Sequence, residues 1–553
     1  MKKSARLVAF LLVLSMTFVI VPSGLAATGE EGLGYGFNPT GLPIVDEEIT
    51  VKVLYDRTPT HGDFDNYWFI DYVAEKTGIR LEFELVESAA WDENVSLAFA
   101  GDTYPDVFMH NLDATQIARY ASEGYLVDLS DLIKTYAPDT VALYNEYPEL
   151  VKEITEDDGS IYFMPSINAS PRDLVTQYPA FINEQWIKNL NMEMPKTLDE
   201  LYNVLKAFKE QDADLDGDPN NEIPVVAQHA SGATRFTLVI LTALGLVDKQ
   251  HNITEDGIYQ YVPSTDAYKE YLKFMRKLYQ EQLLDNEYFT MTDEAAQSKL
   301  STGNVGLMND TPYTPLPATE DYKQYRALAL LSSDINTTPV YPAQSACKLS
   351  WGTFVMTDKC QYPEAMVRLI DWFYTVEGSR AVRAGCEYGT WTDEEGNMYG
   401  YEILTPAEET EDGHLIAKLH MGDYAGYWNC RLGEIGPTNL PFNSIDAVND
   451  IIIAGDEMNL WLYNQVMDSG VVEARKFAFP NVSFTDEENT QLSMYIDLTS
   501  YVEQMEANFI TGKMDIDGEW DAYLAELNRL GMEDMCKIYQ AAYDRYVVRS
   551  ESL

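Results

Sequence analysis

Glu47-Glu48-Ile49-Thr50-Val51-Lys52-Val53-Leu54-Tyr55 alternates apolar and polar side chains, the period of a half-buried β-strand. Outward from it the period changes in a regular way. Residues 69–77 read as a helix that Gly78 stops, and residues 79–86 alternate again as a second strand. A helix over 92–100 ends at Gly101, and Tyr104-Pro105-Asp106-Val107-Phe108-Met109 reads as a short buried strand. Strands that take turns with helices predict βαβ units and a mainly parallel sheet. In such a sheet the carboxyl ends of the strands face the ligand crevice. His110 and Asn111, directly after Met109, are therefore expected at that crevice.

The mixed pattern continues. Asp158-Gly159-Ser160-Ile161-Tyr162-Phe163-Met164-Pro165 reads as a turn and then a strand. Residues 186–211 read as a helix pair broken at Pro195, with Thr197 as N-cap and Glu200 completing a capping box. Helices follow over 266–284 and 363–375, the second with a thick apolar face at 371–374. Residues 485–546 read as almost wholly helical, opening on a box at Thr485 and Glu488 and restarting near Asp517. The fold class is α/β with a helical C-terminal portion, and 553 residues are too many for one ordinary domain.

Residues 211–224 read Gln-Asp-Ala-Asp-Leu-Asp-Gly-Asp-Pro-Asn-Asn-Glu-Ile-Pro. Asp212, Asp214 and Asp216 take positions 1, 3 and 5 of an EF-hand-like calcium loop and Gly217 takes position 6; Asp218, Asn220 and Glu222 close it. Carboxylates this close repel one another unless a hard cation lies among them. The far end departs from the EF-hand: Glu222 stands at position 11, and Ile223 at 12, where a bidentate Glu belongs. A solvated acidic turn is the competing reading. The spacing and the placed glycine favour calcium, in a structural role.

The formal charge of −51, from 38 basic and 89 acidic residues, argues against nucleic acid or anionic membrane as a partner. Lys2, Lys3 and Arg6 precede an apolar run over 7–21 and then Pro22-Ser23-Gly24-Leu25-Ala26. This is the layout of an export signal cut after Ala26, with an uncleaved anchor as the alternative. None of the five cysteines (Cys347, Cys360, Cys386, Cys430, Cys536) follows that signal, so the lipid-carrying cysteine of a lipoprotein is missing. An odd count leaves at least one free thiol and room for up to two disulfides, with the pairing undetermined. The six histidines, His414 and His420 included, show no zinc spacing. Neither a Gly-x-Ser-x-Gly elbow nor a phosphate-binding glycine loop occurs. Among 89 acids no glycosidase pair stands out, so an enzyme reading has no positive feature.

Several segments, in order, resemble one family. Asp102-Thr103-Tyr104-Pro105-Asp106-Val107, Gly124-Tyr125-Leu126-Val127-Asp128-Leu129 and Asp158-Gly159-Ser160-Ile161-Tyr162 resemble the extracellular solute-binding proteins of ABC importers. So do Phe181-Ile182-Asn183-Glu184-Gln185-Trp186 with Pro195-Lys196-Thr197-Leu198-Asp199-Glu200-Leu201, and Pro363-Glu364-Ala365 with Arg368-Leu369-Ile370-Asp371-Trp372-Phe373-Tyr374. Phe509-Ile510-Thr511-Gly512-Lys513, Trp520-Asp521-Ala522-Tyr523 and Tyr539-Gln540-Ala541-Ala542-Tyr543-Asp544-Arg545 resemble the tail of the large family-1 carbohydrate-binding subgroup. The resemblance implies a two-lobed type II periplasmic-binding-protein fold. Residues 1–26 would be the signal, 27–165 and 350–400 the first lobe, and 166–349 and 401–553 the second, with the acidic loop and the C-terminal helices. It implies an oligosaccharide ligand handed to the transmembrane subunits of an ABC permease. It also implies a monomer in an extracytoplasmic location: periplasmic, secreted or cell-surface associated. Family loops at this position carry calcium; here the run is one residue longer, so either Asn220 or Asn221 supplies the far-end ligand.

Sugar sites stack aromatic rings on pyranose faces, and 37 Tyr and 9 Trp supply rings. Trp351 falls at the second crossing between lobes that the resemblance implies. Trp391 and Trp428 lie in Gly-rich, non-helical stretches, and Tyr313 follows Asn309-Asp310 after a strand over 305–308. These four join His110 and Asn111 as candidate ligand residues; core packing is the competing reading for each Trp. Trp186, Trp372 and Trp520 lie on amphipathic helices and are expected in cores. The expected function is capture by lobe closure without catalysis. The alternatives are a secreted carbohydrate-active enzyme, or a peptide- or lipid-binding member of the same fold.

Overall fold

The computed structural model describes residues 34–57, 67–109, 112–168, 178–312, 314–316, 320–328, 330–343, 348–406, 409, 415–421, 430–432, 451–453, 457–480 and 482–549. Two separate hydrophobic cores organise them. In the first, four strands lie in the order Val355–Met356, Val107–Phe108, Ile49–Arg57, Ile79–Glu87. Ile49–Arg57 runs parallel to both neighbours, and Val355–Met356 returns antiparallel at the edge. The alternation of the opening stretch sets which face packs: Val51, Val53 and Tyr55 are buried while Thr50 and Lys52 are exposed. Helix Trp68–Thr77 stops at Gly78, whose φ of +77° suits glycine and whose N–H donates to the Ala74 carbonyl. A Cβ at Gly78 would also sit 2.4 Å from the Val45 carbonyl oxygen.

The chain passes between the cores at Ser166–Asn168 and again at Lys348–Ser350, and these two strands pair antiparallel. The turn expected at Asp158-Gly159 forms, with Glu156 N–H donating to the Ser160 carbonyl at 2.9 Å. The strand expected up to Pro165 does not. Phe163 makes one bridge to Val355, and regular pairing begins only at Ser166, beyond the proline that lacks an N–H.

The second core holds the strands Tyr325–Ala327, Phe181–Asn183, Val305–Met308 and Ile223–Val226, in that order. Helices Leu198–Glu210, Arg235–Ala243 and Asp266–Gln280 surround it, joined by Ile496–Ile510, Ile516–Arg529 and Met532–Val548 from the tail. Thr197 caps its helix as read, accepting from Glu200 N–H at 3.1 Å. The return arm differs: the Glu200 carboxylate accepts from Lys196 N–H, one residue before the cap. At Thr485 and Glu488 the box is reciprocal. The helix expected to 284 ends at Gln280, because Gln282 takes a left-handed φ of +57°. Trp186, Trp372 and Trp520 are all buried.

A small third sheet contains Gly400–Thr405, Leu415–His420 and Ile451–Ile453. The lobe boundary expected between residues 400 and 401 runs through this region. Tyr401 N–H donates to the Cys386 carbonyl at 3.0 Å and Tyr388 N–H to the Tyr401 carbonyl at 2.7 Å. Leu432 belongs to the first core, and its carbonyl accepts from the Tyr55 hydroxyl at 2.6 Å. Backbone bonds therefore join residues on both sides of the expected boundary, and the Tyr55 hydroxyl ties the chain at Leu432 to the first core. The expected signal at 1–26 lies outside the described residues. Among the described residues no helix is long and apolar enough to cross a membrane.

Candidate functional site

A cavity of about 510 Å³ opens between the two cores. Asp113, Ala114 and Trp351 line it from the first lobe; Asp248, His251, Phe479, Phe484 and Tyr539 line it from the second. The first wall depends on Gly352, which has a φ of +58°. A Cβ there would lie 2.2 Å from the Leu112 carbonyl oxygen, so only glycine lets the 351–352 turn sit against the 112–114 segment. Trp351 is half-buried and stacks on Phe163 with ring centres 4.8 Å apart.

The opposite wall is a hairpin docked on the last helix. Gln540 accepts from Tyr259 N–H at 2.7 Å and donates to the Gly257 carbonyl at 3.0 Å. That clamp brings Tyr259 and Tyr539 into near-parallel stacking, 4.9 Å apart and 7° from coplanar. The His251 ring lies 4.8 Å from Tyr539, its Nδ1 2.7 Å from the Tyr259 hydroxyl. Phe484 meets Tyr539 edge-on at 5.2 Å. Burial holds His251 below the usual histidine range against the opposing charge of Asp248, and it raises the Tyr259 and Tyr539 hydroxyls. The platform is thus uncharged near neutral pH.

Asp248 Oδ1 accepts from the N–H groups of Gln250 and His251 at 2.6 and 2.9 Å, and Asp113 Oδ1 from Gln116 N–H at 2.7 Å. Both acids are therefore held in place by backbone at the cavity wall. No Lys or Arg lines the cavity among the described residues. Flat rings facing fixed carboxylates suit a neutral molecule with C–H faces and many hydroxyl donors. A larger cavity of about 810 Å³, lined by Thr50, Lys52, Thr103 and Asp106 among others, lies at the amino ends of the first sheet's strands, away from the crevice.

The acidic loop folds around its own carboxylates. Leu215 and Gly217 take positive φ, and Gly217 N–H donates to Asp212 Oδ2 at 3.1 Å. Ligand atoms of Asp212, Asp214 and Asp216 all lie within 4.8 Å of one another. Partial burial, then the charges of Asp216 and Asp212, push the Asp214 carboxyl up. Three buried oxygens here lack a hydrogen-bond partner: Asp212 Oδ1, Asn221 Oδ1 and Glu222 Oε2. Asn220 spends its N–H and side-chain amide on Asp218 Oδ1 instead. The donor set is all oxygen and the orphaned atoms belong to one loop, which fits a hard cation.

Of the residues expected from sequence, Trp351 lines the cavity. Trp391 does not; it packs beside Tyr399, Cys386 and Cys430. His110, Asn111, Tyr313 and Trp428 lie outside the described residues. His251, Phe479, Phe484 and Tyr539 escaped sequence reading. Tyr539 sits inside a helical tail motif, where a half-buried aromatic has the same spacing as a core residue.

The model of the family described as bacterial extracellular solute-binding protein matches residues 59–379, more than half of the chain. The fructooligosaccharide ABC transporter substrate-binding protein FusA of Streptococcus pneumoniae serotype 4 is 24% identical over 551 residues, covering 94% of this chain and 96% of its own. A solved structure of FusA from S. pneumoniae as an EF-hand mutant with fructo-nystose is 23% identical and superposes with a TM-score of 0.66, over 90% of this chain and 99% of that one. An HMO-binding, ABC-transporter-associated solute-binding protein from Bifidobacterium longum infantis, also 23% identical, superposes with a TM-score of 0.74 over 91% and 100%.

Proposed function

This chain belongs to the family of bacterial extracellular solute-binding proteins, and from that premise we propose that it captures a neutral oligosaccharide between its lobes and delivers it to an ABC permease. The observation that carries the reading is the interlobe cavity, with Trp351 on one wall and the His251–Tyr539 platform on the other. Ligand that touches both walls binds the closed arrangement better than the open one, so it shifts the population toward closure. No step of bond cleavage is part of this account: the ligand is carried intact. A monomer outside the cytoplasm, working with the transmembrane subunits of a permease, completes the role.

Calcium belongs in the acidic loop, held by Asp212, Asp214, Asp216, Asn221 and Glu222, with Asp218 shaping the turn. Relatives give independent support, since one solved neighbour is an EF-hand mutant. The ion would neutralise the carboxylates and stiffen the loop before strand Ile223–Val226. A thermal-shift screen against neutral oligosaccharides, peptides and fatty acids tests the function. A selective rise with oligosaccharides is expected; a rise with peptides or fatty acids alone would move the ligand to another class.

A further inference from the structure

Cys386 and Cys430 are both fully buried and, with Tyr399, form a small core of their own. The Cys386 thiol donates to the Tyr399 carbonyl at 3.3 Å, and glycines keep the backbone beside both sulfurs clear. A Cβ on Gly385 would lie 2.5 Å from the Cys430 sulfur, and one on Gly400 would lie 1.9 Å from the Cys386 carbonyl oxygen. Gly385 and Gly400 have φ of +80° and +110°, conformations that glycine adopts freely. We propose that Cys386 and Cys430 are the partners of a disulfide that staples together the two ends of the 384–432 region, where the chain leaves and rejoins the first core.

Apart from this cluster, the described residues of the region contribute Ala384 and Ala417 to a core with two partly buried neighbours. A disulfide is a common reinforcement for small units outside the cytoplasm. The bond would close a loop of about 45 residues, a length for which a cross-link removes much unfolded-state freedom. It would also fix Arg431 and Leu432, whose carbonyls accept the Tyr67 and Tyr55 hydroxyls at the first sheet.

The chemistry balances as a two-electron oxidation during folding, by a small disulfide such as oxidised glutathione. The Cys386 thiolate attacks the oxidant's S–S bond, forming a mixed disulfide and expelling one thiolate. Cys430, having lost its proton, attacks the Cys386 sulfur and expels the second. Two protein thiols become one disulfide, and the oxidant leaves as two thiols carrying both protons.

The test uses the full chain refolded with oxidised and reduced glutathione, then denatured and alkylated without reductant. Of the five cysteines, three should react, and all five should react after reduction. The proteolytic digest should contain a Cys386–Cys430 linked peptide. Cys386→Ser should leave every remaining thiol reactive, whereas Cys360→Ser should still protect two. Limited proteolysis within 401–432 should be roughly tenfold or more faster after reduction, with the two main cores intact. Five reactive thiols, or a linked peptide joining either cysteine to Cys347, Cys360 or Cys536, would overturn the pairing. An unchanged cleavage rate would overturn the staple. Neither result bears on oligosaccharide capture, which is read separately by ligand binding.

Discussion

Removing calcium from the acidic loop should lower the melting temperature, and Asp214→Asn should shrink that loss from both sides. Each pair among the carboxylates of Asp212, Asp214 and Asp216, at separations up to 4.8 Å, repels by about 1 kcal/mol at the dielectric of water and about 3.5 kcal/mol at an effective 20. Asp216 is exposed, so the low figure applies, and the three pairs together cost about 3 kcal/mol without the ion. Calcium at about a hundredfold excess over its dissociation constant contributes about 2.7 kcal/mol to the folded state. For a lobe of this size that is about 5–10 °C in melting temperature. Asn at 214 removes two of the three repulsive pairs and one ligand charge. In chelator the variant should therefore melt above wild type, and in saturating calcium below it. The raised Asp214 carboxyl adds a pH signature: its contribution is fully present below the unfolded pKa and is lost as pH rises through the folded value. In chelator, acidification should narrow the gap between wild type and variant. Scanning calorimetry of both proteins in calcium and in chelator gives all four numbers. A wild type indifferent to chelator, or a variant less stable in both conditions, would refute the reasoning.

Three further outcomes are expected. Trp351→Ala should weaken oligosaccharide binding about tenfold, the equivalent of about 1.4 kcal/mol, in calorimetric titration, with little change in melting temperature; unchanged affinity would remove Trp351 from the site. Burial lifts Asp371, which accepts from both the N–H and the hydroxyl of Thr140, to about 6. Stability from its protonated form should be present below the ordinary aspartate range and fade as pH rises through about 6, and Asp371→Asn should erase that part of the pH profile; parallel profiles would contradict it. Lys249 pairs with buried Glu506 at 2.8 Å, so Lys249→Met should cost about 3 kcal/mol in denaturant unfolding, and adding Glu506→Leu should recover much of it; a neutral single variant would show that the pair is not what holds the helix Ile496–Ile510.

What the sequence made legible was local. The alternation of residues 47–55, the Gly78 stop and the Thr485 box each state their structure within a few residues, and each appears as read. The clustering of Asp212, Asp214 and Asp216 was equally legible, because alternate residues before a turning glycine bring their carboxylates together locally. Asn221 and not Asn220 carries the orphaned oxygen because Asp218 captures Asn220, which spacing alone does not reveal. The second wall of the cleft was hidden for a different reason. His251, Phe479, Phe484 and Tyr539 meet through ring contacts between distant segments, with the Gln540 clamp on the hairpin spanning some 280 positions of chain. Hydrogen bonds from Tyr388 and Tyr401 likewise cross the expected 400/401 boundary, a contact that sequence periodicity does not reveal.

The central claim is capture of an intact oligosaccharide, and equilibrium dialysis of the protein against one that raises its melting temperature tests it most directly. Mass spectrometry of the bound and free glycan should show one molecule per chain, with its length unchanged after prolonged incubation. Shortened glycan would make the protein an enzyme, and no retention above that of Trp351→Ala would contradict binding between the lobes.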